Sequence, residues 1–332
     1  MAKDLLVTVA DSKTLEQVKA LFASAYLEGC WQGDFMLLTD YIASDQREWF
    51  ESRGILVTVK PLIYSKKEWV KKHLTDEYGP IYIHRFHLFT KEFKKWDLIL
   101  YLDADIIIKG SLEAFTKISL VAGVKDDMLN RLKFQLKKKP MQIDDRKFAD
   151  LKKSYGLYSP AINSGVIAFR TELIRKDSFD QLLALTDRFL AISKYPDQLL
   201  LNLFFYRKIH YLSHRFNAFF WLFDSSRFAF ERAAILHFAG YEIKPWEKRN
   251  PYHSLWKTYQ HVSEKIDFTK QPTIKKERTV SLFVFQLFYE LMILERRVQF
   301  FFKEVDRQLG LVGLWLKKRH PKMYLFIKKI KK

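Results

Sequence analysis

Leu98-Ile99-Leu100-Tyr101-Leu102-Asp103-Ala104-Asp105-Ile106-Ile107-Ile108-Lys109-Gly110 is the stretch on which the fold of this 332-residue chain turns. Its five apolar residues, 98–102, read as a strand buried on both faces, as in a parallel sheet covered by helices. Asp103 and Asp105 stand at the end of that strand, where a core would not tolerate them unpaired. Extended geometry puts residues i and i+2 on one side, so both carboxylates are expected to face one space with small Ala104 between them. Two readings stand: oxygen ligands for a hard divalent cation, or caps and turn formers beside a surface loop.

Outward from this strand the chain alternates. Residues 5–10 read as a first strand. From Thr14, apolar Leu15, Val18, Leu21, Phe22 and Ala25 recur at helical spacing, with Thr14 and Gln17 at capping-box distance and Gly29 closing the helix. Residues 35–39 and 55–59 read as strands around a short helix at 46–52 that stops near Gly54. Residues 66–78 are charged, a loop or short surface helix. Pro80 suits the start of a helix running to about Phe93, with Arg85 inside an otherwise apolar and aromatic segment. Downstream, 111–115 is a helical turn, 172–190 and 197–205 are helices, and 120–124, 166–169, 210–212 and 235–238 are strands, the second of these preceded by Asn163-Ser164-Gly165. Such alternation predicts an α/β fold with a doubly wound, mostly parallel sheet and ligands at the carboxyl ends of its strands. Residues 125–160, dense in Lys and holding Lys137-Lys138-Lys139-Pro140, read as an insertion: a lid, or a solvated surface excursion.

With 48% apolar and 16% aromatic residues but only 11 Gly and 9 Pro, the chain can bury a large core and is not collagen-like or disordered. A net charge of +19 implies an anionic partner: a phosphorylated substrate, a nucleic acid or an acidic membrane surface. The single cysteine, Cys30, excludes an internal disulfide and a cysteine zinc cluster, which suits a reducing compartment. The first residues lack a signal-peptide pattern and read as the lead into the first strand. No Walker loop, dinucleotide-binding glycine fingerprint, Gly-x-Ser-x-Gly elbow or His-Glu-x-x-His helix is present. His84 and His87 read as packing or surface residues, and Asp126-Asp127 and Asp144-Asp145 as solvated loop acids.

One ordered set of residues carries a resemblance. Arg85, Tyr101-Leu102-Asp103-Ala104-Asp105, Asn163-Ser164-Gly165-Val166, Asp197-Gln198 with Asn202, Phe216-Asn217, and His237-Phe238-x-Gly240-x-x-Lys244-Pro245-Trp246 follow one another over residues 5–250. Together they resemble glycosyltransferase family 8, the group of glycogenin and of bacterial lipopolysaccharide galactosyl- and glucosyltransferases.

The resemblance implies a GT-A fold and transfer of a hexose from a UDP-sugar, UDP-glucose or UDP-galactose, with retention of anomeric configuration. It implies Mn²⁺, with Mg²⁺ as the alternative, held by Asp103, Asp105 and His237. It further implies nucleotide-sugar contacts for Val9, Ala10, Asp11, Arg85, Ala104, Asn163, Gly165 and Gly240, leaving-group stabilisation by Lys244, and sugar-facing roles for Asp197 and Gln198. Each residue also has a plainer reading. Arg85 can form a structural ion pair, His237 can be a hydrogen-bonded strand histidine, Asp197-Gln198 can simply open a helix after Pro196, and Asn163 and Gly165 can shape a turn. The chain departs from the family in having Ser12-Lys13-Thr14 where an aromatic is frequent after strand one, and Leu199-Leu200-Leu201 after Asp-Gln where many bacterial members have a further Asp.

Residues 1–250 are thus expected to form the catalytic domain and 251–332 a helical, basic C-terminal region. Residues 270–332 hold 16 Lys or Arg against 5 Asp or Glu. Their apolar stretch at 280–294 is interrupted by Gln286 and Glu290, too short and polar for a membrane span. Aromatic anchors beside polybasic runs suit an anionic membrane interface, while a packed helical hairpin or a dimer contact explains them as well. The expected enzyme is cytoplasmic, peripheral on the inner face of a membrane, and acts on a glycan, lipid-linked or protein acceptor. The rivals are a basic nucleic-acid-binding protein, for which charge is the only support, and an inactive relative serving as a scaffold.

Overall fold

Apolar runs become strands where expected. β1 (Lys3–Val9), β2 (Asp34–Thr39), β3 (Leu56–Val59), β4 (Trp96–Leu102), β5 (Ile106–Ile108), β6 (Val121–Lys125), β7 (Ile162–Arg170), β8 (Ile209–Leu212), β9 (Ala218–Phe219) and β10 (Ile235–His237) build two sheets. The computed structural model describes residues 3–73, 79–137, 145–223, 232–240, 243–273, 286, 289–295 and 298. The larger sheet has the order β3-β2-β1-β4-β7-β6-β8, with β7 antiparallel to both neighbours and the other pairings parallel. In the smaller sheet β10 pairs antiparallel to β5 and parallel to β9.

Helices cover both faces of the larger sheet. On one lies α1 (Leu15–Leu27), where Phe22 meets Phe35 edge-on at 5.4 Å. On the other, Leu5, Val7, Ile99, Tyr101 and Phe169 share a core with Ile83, Phe86 and Phe89 of a 3-10 helix, Pro80–Phe89. α2 (Ser44–Glu51), α3 (Lys66–His73), α4 (Glu113–Thr116), α5 (Asp145–Ser154), α6 (Ser178–Phe189), α7 (Pro196–Phe204) and α8 (His253–Ser263) are further α-helices, and α8 packs on α1.

Several expectations are corrected. The segment after Pro80 is not an α-helix but two 3-10 helices, the second spanning Lys91–Lys95. Its buried residues Ile83, Phe86 and Phe89 are spaced by three, the period of a 3-10 turn. Asn163-Ser164-Gly165 lies inside β7 rather than before it. The Thr14–Gln17 capping box is not made; the Thr14 hydroxyl bonds instead to Asp11. The helix expected from 172 begins at Ser178. Asp126 and Asp127 are buried, not solvated.

The chain divides into two units, 1–286 and 287–332. In the second, residues 289–295 are helical, with Tyr289 and Ile293 buried and Leu291 and Leu294 exposed. The polybasic runs near 317–319 and 328–332 and Lys138-Lys139-Pro140 lie outside the described residues. No helix among the described residues is long and apolar enough to cross a membrane.

Candidate active site

The carboxylates of Asp103 and Asp105 meet because the chain leaves one sheet and enters the other between them. β4 ends at Leu102, Ala104 and Asp105 form a turn, and β5 starts at Ile106. The Asp103 N–H donates to the Gly165 carbonyl at 2.9 Å, which seats Asp103 beside β7. In the smaller sheet His237 stands opposite Ile106, and the Phe238 N–H donates to the Asp105 carbonyl at 3.1 Å. It is thus a turn between sheets, not strand alternation, that points the two acids at one place.

His237 completes the cluster. Its Nε2 lies 3.2 Å from Asp105 Oδ1 and 3.7 Å from Asp103 Oδ2. One ligand atom from each of the three residues lies within 4.8 Å of the others. The imidazole is 1% exposed, its Nδ1 sits 2.7 Å from Asn217 Oδ1, and its buried Nε2 has no hydrogen-bond partner among the described residues. An amide oxygen on Nδ1 requires the proton there and leaves Nε2 to face the two carboxylates, where it can give its lone pair to a cation in place of a proton. A divalent cation satisfies that arrangement, and mixed imidazole and carboxylate donors suit a transition metal. Gly165 keeps the space open: a Cβ there would stand 2.3 Å from His237 Cε1 and 2.6 Å from Asp103 Oδ2.

Arg85 braces the cluster from beneath. Buried in the core, its Nη2 donates to Asp103 Oδ1 at 2.9 Å, its Nη1 donates to the Ser164 carbonyl at 2.9 Å, and Nη1 lies 3.2 Å from Asp197 Oδ2. The guanidinium lies 3.9 Å from the Tyr101 ring centroid, and the Tyr101 hydroxyl donates to Asp103 Oδ1. Burial works against the Arg85 charge, but Asp197, Tyr101 and Asp103 outweigh it and hold the pKa above its ordinary value. For Asp197, burial pushes the carboxyl up against the opposing pull of Arg85 and the Ser164 hydroxyl. For Asp105 the balance is reversed: burial pushes up, yet His237 and Lys244 hold the carboxyl well below the usual carboxylate range.

Two clefts meet at the acids. A cavity of about 330 Å³ is lined by Val9, Ala10, Asp11, Ala104 and Trp246. A second of about 500 Å³ holds Asn163, Asp197, Gln198, Gly240 and Lys244. Asp103, Asp105 and Arg85 border both. In the larger one, Lys244 Nζ donates to Asp105 Oδ2 at 2.7 Å and to the Phe238 carbonyl at 2.6 Å. Gly240 has φ +60 with open space where a side chain would stand, so backbone faces the cleft there. Asp197 and Gln198 occupy the first turn of α7 behind Pro196, buried against β7.

The structure therefore brings all the sequence-identified residues to one region, two clefts joined by the Asp103–Asp105 turn. Sequence reasoning gave no role to Asn217, Ser164, Tyr101 or Asp126. For Asn217 the signal was available: a metal-binding histidine needs an acceptor on its second nitrogen, and Asn217 stands in a segment already singled out. Asp126 gave no such signal. His84 is fully buried and His87 half-buried, Nε2 of the latter 3.1 Å from the Pro61 carbonyl.

A family model described as glycosyl transferase family 8 matches residues 8–250. No curated protein matches the sequence. Among solved structures, an active-site mutant of LgtC aligns with TM-score 0.60 at 15% identity, covering 82% of this chain and 98% of that one. LgtC in complex with donor and acceptor sugar analogs aligns with TM-score 0.57 at 16% identity, with the same coverage. The WbbM bifunctional glycosyltransferase aligns with TM-score 0.54 at 17% identity, covering 78% of this chain; the chain spans only 52% of WbbM. Likeness at these identities shows a shared fold, GT-A-like, with a mostly parallel sheet flanked by helices.

Proposed function

The chain belongs to glycosyl transferase family 8, and on that premise we propose that it transfers a hexose from a UDP-sugar to a glycan or lipid-linked acceptor, with retention of anomeric configuration. The observation that carries this reading is the cluster of Asp103, Asp105 and His237, its Nε2 unsatisfied, set where two clefts meet. In this assignment the smaller cleft takes the nucleotide along Val9, Ala10 and Asp11, and the larger takes the sugar and acceptor. Asp103, Asp105 and His237 hold the metal, Mn²⁺ in preference to Mg²⁺ because imidazole suits a transition ion. The ion supplies neutralisation of charge on the diphosphate as it leaves.

The protein's own groups do the rest. Two of the three Lys244 ammonium donors are taken by Asp105 and the Phe238 carbonyl, leaving one for a phosphate oxygen of the leaving group. Arg85, whose terminal nitrogens engage Asp103, Ser164 and Asp197, holds the acids in place. Gln198 has both amide ends engaged: Oε1 accepts from Asn163 and the Ser164 N–H, and Nε2 donates to Asp126. A committed amide is a poor nucleophile, which supports acceptor attack from the leaving-group face over a covalent intermediate on Gln198.

The basic residues 270–332 suit attachment to an anionic membrane on its cytoplasmic side, where envelope polysaccharide is built. The enzymatic reading is tested by measuring UDP release from UDP-glucose, UDP-galactose and other UDP-hexoses with and without Mn²⁺, and by reading the anomeric coupling of the product by NMR. Metal-dependent turnover of at least one donor, with retained configuration, is expected. No turnover of any UDP-hexose in Mn²⁺ by the folded protein would overturn the assignment.

A further inference from the structure

Five buried polar side chains run from the metal cluster into the wall of the larger cleft. His237 Nδ1 lies 2.7 Å from Asn217 Oδ1. Asn217 Nδ2 donates to Asn163 Oδ1 at 3.1 Å, Asn163 Nδ2 donates to Gln198 Oε1 at 2.9 Å, and Gln198 Nε2 donates to Asp126 Oδ2 at 3.2 Å. All five residues are at least nine-tenths buried. Three amides in series can point either way, and an amide's orientation is set only by its partners. Here the partners decide. The Gly165 N–H donates to Asn163 Oδ1 and the Ser164 N–H to Gln198 Oε1, so both atoms must be oxygens. At the far end stands Asp126, whose carboxylate can only accept. Its Oδ1 takes the Met128 and Leu129 N–H groups at 3.0 and 2.6 Å while Oδ2 takes Gln198.

We propose that Asp126 is a positioning residue that, together with the Gly165 and Ser164 N–H groups, fixes the direction of this amide chain and through it the tautomer of His237, so that Nε2 presents its lone pair to the metal. The inference rests on the reading of Asp103, Asp105 and His237 as a metal site. No isostere can replace the carboxylate. An asparagine at 126 must turn its NH₂ either toward two backbone N–H groups or toward the Gln198 NH₂. Escape from the second conflict sets the Gln198 NH₂ against the Ser164 N–H, then the Asn163 NH₂ against the Gly165 N–H, and with Asn217 reversed in turn it ends with an amide NH₂ facing His237 Nδ1 and the proton driven to Nε2, so the substitution loosens the chain at every link.

The test uses Asp126→Asn in the full chain, checked for folding by circular dichroism. Calorimetric titration with Mn²⁺ alone is expected to show about tenfold weaker binding or worse, the range for loss of an outer partner of a metal ligand. ¹⁵N NMR of the metal-free protein is expected to show His237 shifting from the Nδ1–H toward the Nε2–H tautomer. In an Asn217→Ala background, where the chain is already cut, Asp126→Asn is expected to add nothing to the loss of Mn²⁺ affinity. Gln198→Met, which cuts the chain next to Asp126, should weaken Mn²⁺ to a similar degree. Unchanged affinity and tautomer in folded Asp126→Asn, or an equal loss with Asn217 present or absent, overturns the proposal; if Asp126→Asn does not fold, unchanged Mn²⁺ binding in Gln198→Met does. Failure of the wild-type chain itself to bind Mn²⁺ overturns the metal-site reading instead.

Discussion

Replacing Gly165 by alanine separates the metal site from the fold that carries it. Gly165 lies in β7, and its backbone has no positive φ, so alanine meets no conformational penalty. The problem is space. The new Cβ would sit 2.3 Å from His237 Cε1, 2.6 Å from Asp103 Oδ2 and 3.0 Å from Asn163 Oδ1. Carbon–carbon contacts relax only near ~3.5 Å, so the imidazole must retreat by about 1.2 Å, or the strand must. Metal–ligand distances tolerate about 0.2 Å, so His237 and Asp103 can no longer both reach one ion. We expect Gly165→Ala to weaken Mn²⁺ by at least about 100-fold, the upper end of what loss of an outer partner costs. Overpacking should cost about 1–3 kcal/mol of stability. Calorimetric Mn²⁺ titration and urea unfolding of the same preparation give both numbers. A folded Gly165→Ala protein that binds Mn²⁺ like wild type would refute the argument that this glycine is the floor of a metal site.

Three further outcomes are expected. Lys244→Ala should lower kcat by about 10²–10³ through loss of leaving-group stabilisation; steady-state rates within threefold of wild type would reduce Lys244 to a brace for Asp105. Arg85→Met leaves the buried Asp197 carboxylate without its cation and should cost about 3–5 kcal/mol in urea unfolding, whereas a loss below about 1 kcal/mol would show that the pair is not what holds α7 to the site. His84 is fully buried, and burial first, then His87, lowers its pKa from 6.5 to about 4. The unfolded chain therefore binds the proton first. Stability from this group is full above pH 6.5, falls as pH drops from 6.5 to about 4 by about 3 kcal/mol, and changes no further below that. His84→Leu should flatten that part of the profile, and an unaltered profile would assign the acid loss elsewhere.

The strands of the larger sheet were legible because burial on both faces leaves uninterrupted apolar runs, as at Leu98–Ile99–Leu100. The 3-10 helix after Pro80 was not read as one, although Ile83, Phe86 and Phe89 recur every three residues: the aromatic density around them blurs a period of 3.0 into 3.6. At the site, Asp103, Asp105 and His237 could be named from their residue types and order, but not the turn between two sheets that makes them converge. Asp126 was misread because acids in a Lys-rich stretch look solvated. Its partner Gln198 lies 72 positions away, and only folding brings them together. Gly165 was assigned to nucleotide-sugar contact or to a turn, yet what crowds it is the His237 ring and the Asp103 carboxylate, which no local pattern encodes.

The central claim is that Asp103, Asp105 and His237 hold one metal ion that joins the protein to a nucleotide diphosphate. Titrating UDP into the wild-type chain and into His237→Ala, each with Mn²⁺ and with chelator, addresses it directly. The account predicts that Mn²⁺ strengthens UDP binding to the wild type by tenfold or more and has no effect on folded His237→Ala. Equal UDP affinity in Mn²⁺ and in chelator for the wild-type chain would contradict it.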